Sequence, residues 1–235
     1  MALVVITGAS RGIGRELARQ FAVEGDHTVV CISRSKQKLD QLKAECLQVN
    51  PKSKMEIVDF DLTASNYDAD LLPFFAARGE EVAILVNNAG LLINKTVFDL
   101  DETDFDGMFD VNVKAPFRLI QLLMPYFSEN AHIVNISSMG GYQGSAKFAG
   151  LSLYSASKGA LAILTESLAE ELKDYQVKVN CLALGAVQTE MLNEAFPGYQ
   201  APVKPEQMAT FVHDFCLNGH KMMNGKILPV SLSTP

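Results

Sequence analysis

The 235 residues are 48% hydrophobic and 20% charged, and 27 acidic against 20 basic side chains leave a formal net charge of −7. That balance excludes a basic footprint for nucleic acid or an anionic membrane, and it suits a globular chain that buries a core without disulfides or metal. Cys31, Cys46, Cys181 and Cys216 are widely spaced, and His27, His132, His213 and His220 have no metal-ligand spacing. No metal is expected, and the thiols read as those of a reduced, cytoplasmic protein.

In chain order, "ALVVIT" (2–7) reads as a buried strand, without the basic start of a signal peptide. A helix is expected over 12–24, a strand at 28–33, a polar helix near 35–48, a strand at 55–61 and a weaker helix over 65–78. A strand at 82–88 precedes a long helix between 103 and 127, in which Pro116 causes a bend or local break. Strands follow at 131–138, 177–184 and 225–231, with a helix over 152–173. No apolar run reaches the length of a membrane span. The Gly- and Ala-rich stretch 139–150, and 190–205 with Phe196, Pro197, Gly198 and Pro202, are expected as mobile loops beside an active site. No element is placed between 205 and 225. Apolar β-runs separated by helices imply an α/β fold, a doubly wound parallel sheet of about seven strands covered on both faces. Residues 1–235 are expected to form a single dinucleotide-binding and catalytic domain.

The first strand runs into "TGASRGIG" (7–14) and then a helix, the setting in which backbone N–H groups hold a pyrophosphate. Gly8 permits the tight turn, Gly12 the approach of the phosphates, and Gly14 close helix–strand packing. Ser10, Arg11 and Ile13 complete that cradle. The second strand ends in Ser33 and Arg34, where an NAD site usually has an acid for the ribose 2′-hydroxyl. Arg11 can approach the same place, and two guanidiniums suit a 2′-phosphate, so NADP(H) is the expected cofactor. Further on, "YSASK" (154–158) places Tyr154 and Lys158 on one helix face, where an ammonium favours the phenolate.

With both motifs in hand, the chain resembles the short-chain dehydrogenase/reductase family over nearly its whole length, which implies a Rossmann-like fold. "DFDL" (59–62) supplies Asp61 and Leu62, matching positions that line the adenine pocket. "NNAG" (87–90) supplies Asn88, Ala89 and Gly90, which border the cofactor. "DVNVKAPF" (110–117) carries Asn112, and "IVNISS" (133–138) carries the active serine. A glycine three residues on selects Ser138 through Gly141, although Gly140 stands in the same relation to Ser137. Gly185 and Thr189 match the loop after the sixth strand, with Leu184 where the family commonly has proline.

The resemblance implies a small-molecule carbonyl or alcohol substrate. Tyr154 is the proton donor, and Lys158 lowers its pKa and holds the nicotinamide ribose. Ser138 stabilises the developing charge, and Asn112 supports a water chain to the lysine. Rival readings are an NADP-sensing protein without catalysis, a sepiapterin-reductase-like enzyme and a 3-oxoacyl reductase. Met191, Leu192, Phe196 and Tyr199, with Tyr142 and Phe148, suggest an apolar pocket. The two long helices match those that join dimers and tetramers in the family, so a homodimer or homotetramer is expected.

Overall fold

The computed structural model describes residues 2–63 and 66–232. Seven strands, β1 (Leu3–Thr7), β2 (Thr28–Ser33), β3 (Lys54–Asp59), β4 (Val82–Asn87), β5 (Phe127–Ser138), β6 (Lys178–Leu184) and β7 (Ile227–Val230), form one sheet in the order β3-β2-β1-β4-β5-β6-β7. Every pairing is parallel. The helices are α1 (Gly12–Glu24), α2 (Lys36–Val49), α3 (Leu72–Ala76), α4 (Glu102–Phe109), α5 (Ala115–Leu123), α6 (Ser152–Glu171), α7 (Glu190–Ala195) and α8 (Pro205–Asn218).

Side chains alternate along a strand, so each face of the sheet receives half of every apolar run. Val4 and Ile6 of β1 pack with Leu17 and Phe21 of α1, Leu39 and Leu42 of α2, and Val212 and Phe215 of α8. Leu3 and Val5 point the other way, to Phe75 of α3, Leu119 and Leu123 of α5, and Leu168 of α6. Each such buried side chain contributes about 1.5–3 kcal/mol of transfer free energy. The strand order reverses between β1 and β4, so their carboxyl ends open a crevice, the general ligand position in such sheets.

Beyond α7, which forms at Glu190–Ala195 where a loop was expected, three elements differ from expectation. The helix expected over 103–127 is α4 and α5, joined by a π-turn at Asp110–Lys114 and ending in a 3₁₀ turn at Met124–Tyr126. Pro116 follows the π-turn directly, and the π-turn is the local break expected at this proline. The weak helix near 65–78 is a π-turn at Tyr67–Leu71 leading into α3; its expected first residue lies outside the described residues. The third is α8, absent from the sequence reading. Pro205 begins it, and Met208, Ala209, Val212, Phe215 and Cys216 form its buried stripe. The four cysteines are free and buried. No helix among the described residues is long and apolar enough to cross a membrane.

His132 is a buried ring on β5 that joins three segments. Its Nδ1 lies 2.9 Å from the Cys216 carbonyl oxygen, and its Nε2 lies 3.1 Å from Asn180 Nδ2. A neutral ring that donates at Nδ1 and accepts at Nε2 satisfies both contacts, whereas a charged ring would turn a proton toward the Asn180 amide. Burial, with His220 alongside, moves its pKa from 6.5 down to about 4. The stability this carries is full above pH 6.5 and is lost as pH falls to about 4, because the unfolded chain takes up the proton first. The difference amounts to about 3 kcal/mol. Urea midpoints should therefore fall across that window, and less steeply in His132→Asn; equal pH dependence in both proteins contradicts the assignment.

Candidate active site

The turn from β1 into α1 is built around glycine. Gly8 and Gly12 have left-handed φ values of 68° and 57°, and a Cβ on Gly8 would stand 2.9 Å from Ala89 Cα. Gly14 has no room either: its Cβ would lie 2.6 Å from the Gly8 carbonyl oxygen. Thr7 locks this turn to the end of β4, its hydroxyl accepting from the backbone N–H of Asn88 and of Ala89, both at 3.0 Å. Asn88 Nδ2 donates back to Thr7 O at 2.9 Å. Arg11 occupies the cap position of α1, where no side-chain hydrogen bond caps the helix and no acid stands in its first turn. The first N–H groups of α1 thus face the crevice, the arrangement that receives an anionic phosphate. The donor set and the glycine-lined approach fit a dinucleotide.

Across the crevice, β5 ends in Ser137 and Ser138, and their alternation separates them. Ser137 Oγ donates to Lys158 O at 2.8 Å and fixes α6 to the sheet. Ser138 accepts from Gly140 N at 3.1 Å, and its hydroxyl lies near enough to the Tyr154 phenol to favour the phenolate. The two glycines of the spacing also differ in their packing. A Cβ on Gly141 would lie 2.5 Å from backbone atoms of Lys158 and Gly159, whereas one on Gly140 would meet the Ser155 hydroxyl, a side chain that can turn.

Lys158 lies one turn after Tyr154, nearly inaccessible, with Nζ donating to Ile136 O at 2.8 Å. A Cβ on Gly90 would lie 3.4 Å from both this Nζ and Asn112 Oδ1, which places Gly90 beside the two side chains. Asn112 sits in the π-turn between α4 and α5. It accepts from Leu91 N at 2.8 Å, and donates to Leu91 O and Ser157 Oγ, each at 2.9 Å. Ser157 in turn donates to Tyr154 O at 2.8 Å. Asn112 therefore ties the loop after β4 to the helix that carries Tyr154 and Lys158.

The electrostatics depart from the expected pairing. Burial pushes the Tyr154 phenol above its ordinary value, and the Ser138 hydroxyl opposes that shift. Lys158 is held down to about 8 by burial, with Cys181 acting the other way. Lys158 is not among the groups that shift the Tyr154 phenol in the chain by itself, so the expected lowering by the ammonium is not seen there.

The remaining sequence-predicted residues surround this core. Arg34 is largely exposed at the end of β2, 3.9 Å from Asp61, whose carboxyl also binds the Thr63 N–H and hydroxyl. Leu62 is half-buried and accepts from the Tyr67 hydroxyl. Ser10 and Ile13 are half-buried, Ile13 against the core. Gly185 N bonds Val230 O at 2.9 Å, and Leu184, in place of the expected proline, is a buried strand residue paired with Ser138 and Val230. Thr189 caps α7 and lies against Gly12. Arg11 is ion-paired with Glu194 of α7 at 2.6 Å. Phe148 and Tyr199, expected in an apolar pocket, are both exposed. Sequence reasoning missed Thr7, Ser157 and Glu194. A threonine at a strand end and a serine one residue before the lysine were the available signals for the first two; Glu194 had none.

A family model described as short chain dehydrogenase matches residues 2–200. The chain belongs to this family. As a short chain dehydrogenase it is 29% identical over 212 residues to an uncharacterized oxidoreductase of Staphylococcus epidermidis, covering 89% of this chain and 88% of the relative. It is 32% identical to the 3-oxoacyl-[acyl-carrier-protein] reductase of Thermotoga maritima, over 80% of this chain and 74% of that one. Among solved structures, the 3-ketoacyl-(acyl-carrier-protein) reductase of Brucella melitensis, complexed with NADH, superposes with a TM-score of 0.82 at 27% identity, covering 98% of this chain and 96% of that one. A short chain dehydrogenase of Burkholderia cenocepacia in complex with NADP gives 0.86 at 25% identity, with the same coverage. The chain is thus an oxidoreductase of a family whose members bind nicotinamide dinucleotides.

Proposed function

We propose that the chain, acting as a single dinucleotide-binding and catalytic domain, reduces a ketone or aldehyde to the alcohol with NADPH. The observation that carries this reading is the Ser138 hydroxyl beside the Tyr154 phenol, with Lys158 buried one turn away next to Gly90. The nicotinamide supplies the hydride. Ser138 and Tyr154 hold the substrate oxygen between two hydroxyls. Burial keeps the phenol protonated at neutral pH, so Tyr154 serves as an acid and gives its proton to the oxygen as negative charge develops. Lys158, held in place by Ile136 O, offers its remaining protons toward Gly90, where the nicotinamide ribose would lie. Asn112 keeps the loop after β4 and α6 in register. The test is NADPH oxidation against a panel of aromatic diketones, quinones, steroids, sepiapterin and acetoacetyl thioesters. Tight NADPH binding with no turnover of any of them would favour a cofactor-sensing role instead.

NADP is the proposed partner because Ser33 and Arg34 stand where an acid would greet the 2′-hydroxyl. Family members use either dinucleotide, so this position decides. Arg34→Ala should weaken NADPH binding about tenfold and leave NADH binding unchanged. An equal effect on both would remove Arg34 from recognition.

The Thermotoga relative favours a 3-oxoacyl thioester as the second reading of the substrate. Against an acidic carrier protein stand the net charge of −7 and Lys147, whose ammonium bonds the Tyr142 carbonyl and Ser145 within its own loop. A homodimer or homotetramer is proposed through α4, α5 and α6, which expose Phe105, Phe117 and Ile163. A monomeric mass by light scattering at micromolar concentration would refute it. The four free thiols suit a cytoplasmic setting.

A further inference from the structure

The two arginines expected to share one phosphate do different things. Arg34 is 77% exposed, and its ion pair with Asp61 is long, 3.9 Å. Arg11 is engaged by both oxygens of Glu194, at 2.6 and 3.3 Å. Glu194 belongs to α7, and α7 bridges the crevice. At its start Thr189 lies against Gly12, and at its end Asn94 Nδ2, from the loop after β4, donates to Ala195 O at 2.8 Å. The Arg11–Glu194 pair is thus the ionic fastening between the phosphate cradle and the helix above it. Glu190, one turn earlier on the same face, stands with Oε2 3.7 Å from where a Gly12 Cβ would be. The helix therefore turns two carboxylates to a cradle that receives phosphates. Arg11 offsets one of them and lets α7 lie down.

We propose that Arg11 and Glu194 form a clasp that fastens α7 over the dinucleotide phosphates and slows release of either cofactor, leaving selectivity for the 2′-phosphate to Arg34. This rests on the reading that the cradle holds a nicotinamide dinucleotide. Both partners are substantially exposed, 39% and 63%, so the fastening is weak and salt-sensitive. A fork already paired with a carboxylate has few donors left for a second anion.

The test is stopped-flow release of bound NADPH and NADH, followed by nicotinamide fluorescence, from the wild type, Glu194→Gln, Arg11→Gln, the double variant and Arg34→Ala. Glu194→Gln and Arg11→Gln should each release both cofactors about threefold faster, by the same factor, and the double variant no faster than either. High salt should abolish the difference. Arg34→Ala should accelerate NADPH alone. Selective acceleration of NADPH by Arg11→Gln would make Arg11 the phosphate reader and overturn the clasp, as would unchanged rates in both single variants or additive effects in the double. Each of these leaves the proposed function standing, whereas a wild type that binds neither cofactor overturns both.

Discussion

Replacing Tyr154 by phenylalanine is expected to lower kcat about 10³-fold and to leave the affinity for NADPH unchanged. The change removes one oxygen from a buried ring and leaves its packing in place. Ser138 keeps its hydrogen bond from Gly140 N, so the turn that positions the substrate oxygen persists. What is lost is the proton. Burial raises the phenol's pKa, and this makes it a reservoir that stays filled at neutral pH. Ser138, the other hydroxyl beside the substrate oxygen, is a far weaker acid and does not replace it. Turnover retained within tenfold, measured under saturating cofactor, would take Tyr154 out of the proton transfer.

The second large effect concerns a residue that touches no substrate. Gly141→Ala places a methyl group 2.5 Å from the Gly159 N and the Lys158 carbonyl carbon. These are backbone atoms in the middle of α6, so neither can rotate away. The turn must lift off the helix, at a cost of about 1–3 kcal/mol. Ser138, which begins that turn, moves with it and leaves Tyr154. Misplacement by about an ångström costs a further 10- to 100-fold in kcat/KM. Gly140→Ala is the control, because its Cβ would meet the Ser155 hydroxyl, which can turn aside. Gly141→Ala should have a lower melting temperature and lower kcat/KM than Gly140→Ala. Equal losses, or the reverse order, would contradict the packing argument.

Much of the fold was legible because a parallel sheet buried on both faces leaves long apolar β-runs, and "LVVIT", "TVVCIS" and "VAILVN" are nothing else. What escaped was local. The stretch before α8 carries Pro197, Gly198 and Pro202, and breakers so close together hid Pro205 as a helix start. The π-turn that carries Asn112 has no periodicity of its own. In the candidate site, i,i+4 spacing placed Tyr154 and Lys158 on one face without showing where the ammonium points. The Ile136 carbonyl takes it, a contact between β5 and α6 that spacing within one helix does not reveal. The Arg11–Glu194 pair joins residues from opposite ends of the chain, and either one alone is an ordinary surface charge.

The most direct test of hydride transfer at this site follows deuterium from NADPH dideuterated at C4 into the product of the best carbonyl in the panel. One deuterium on the carbinol carbon, in the wild type and not in Tyr154→Phe, is the result predicted here. Alcohol formed without deuterium would contradict the account, as would bound NADPH that leaves every carbonyl in the panel unreduced.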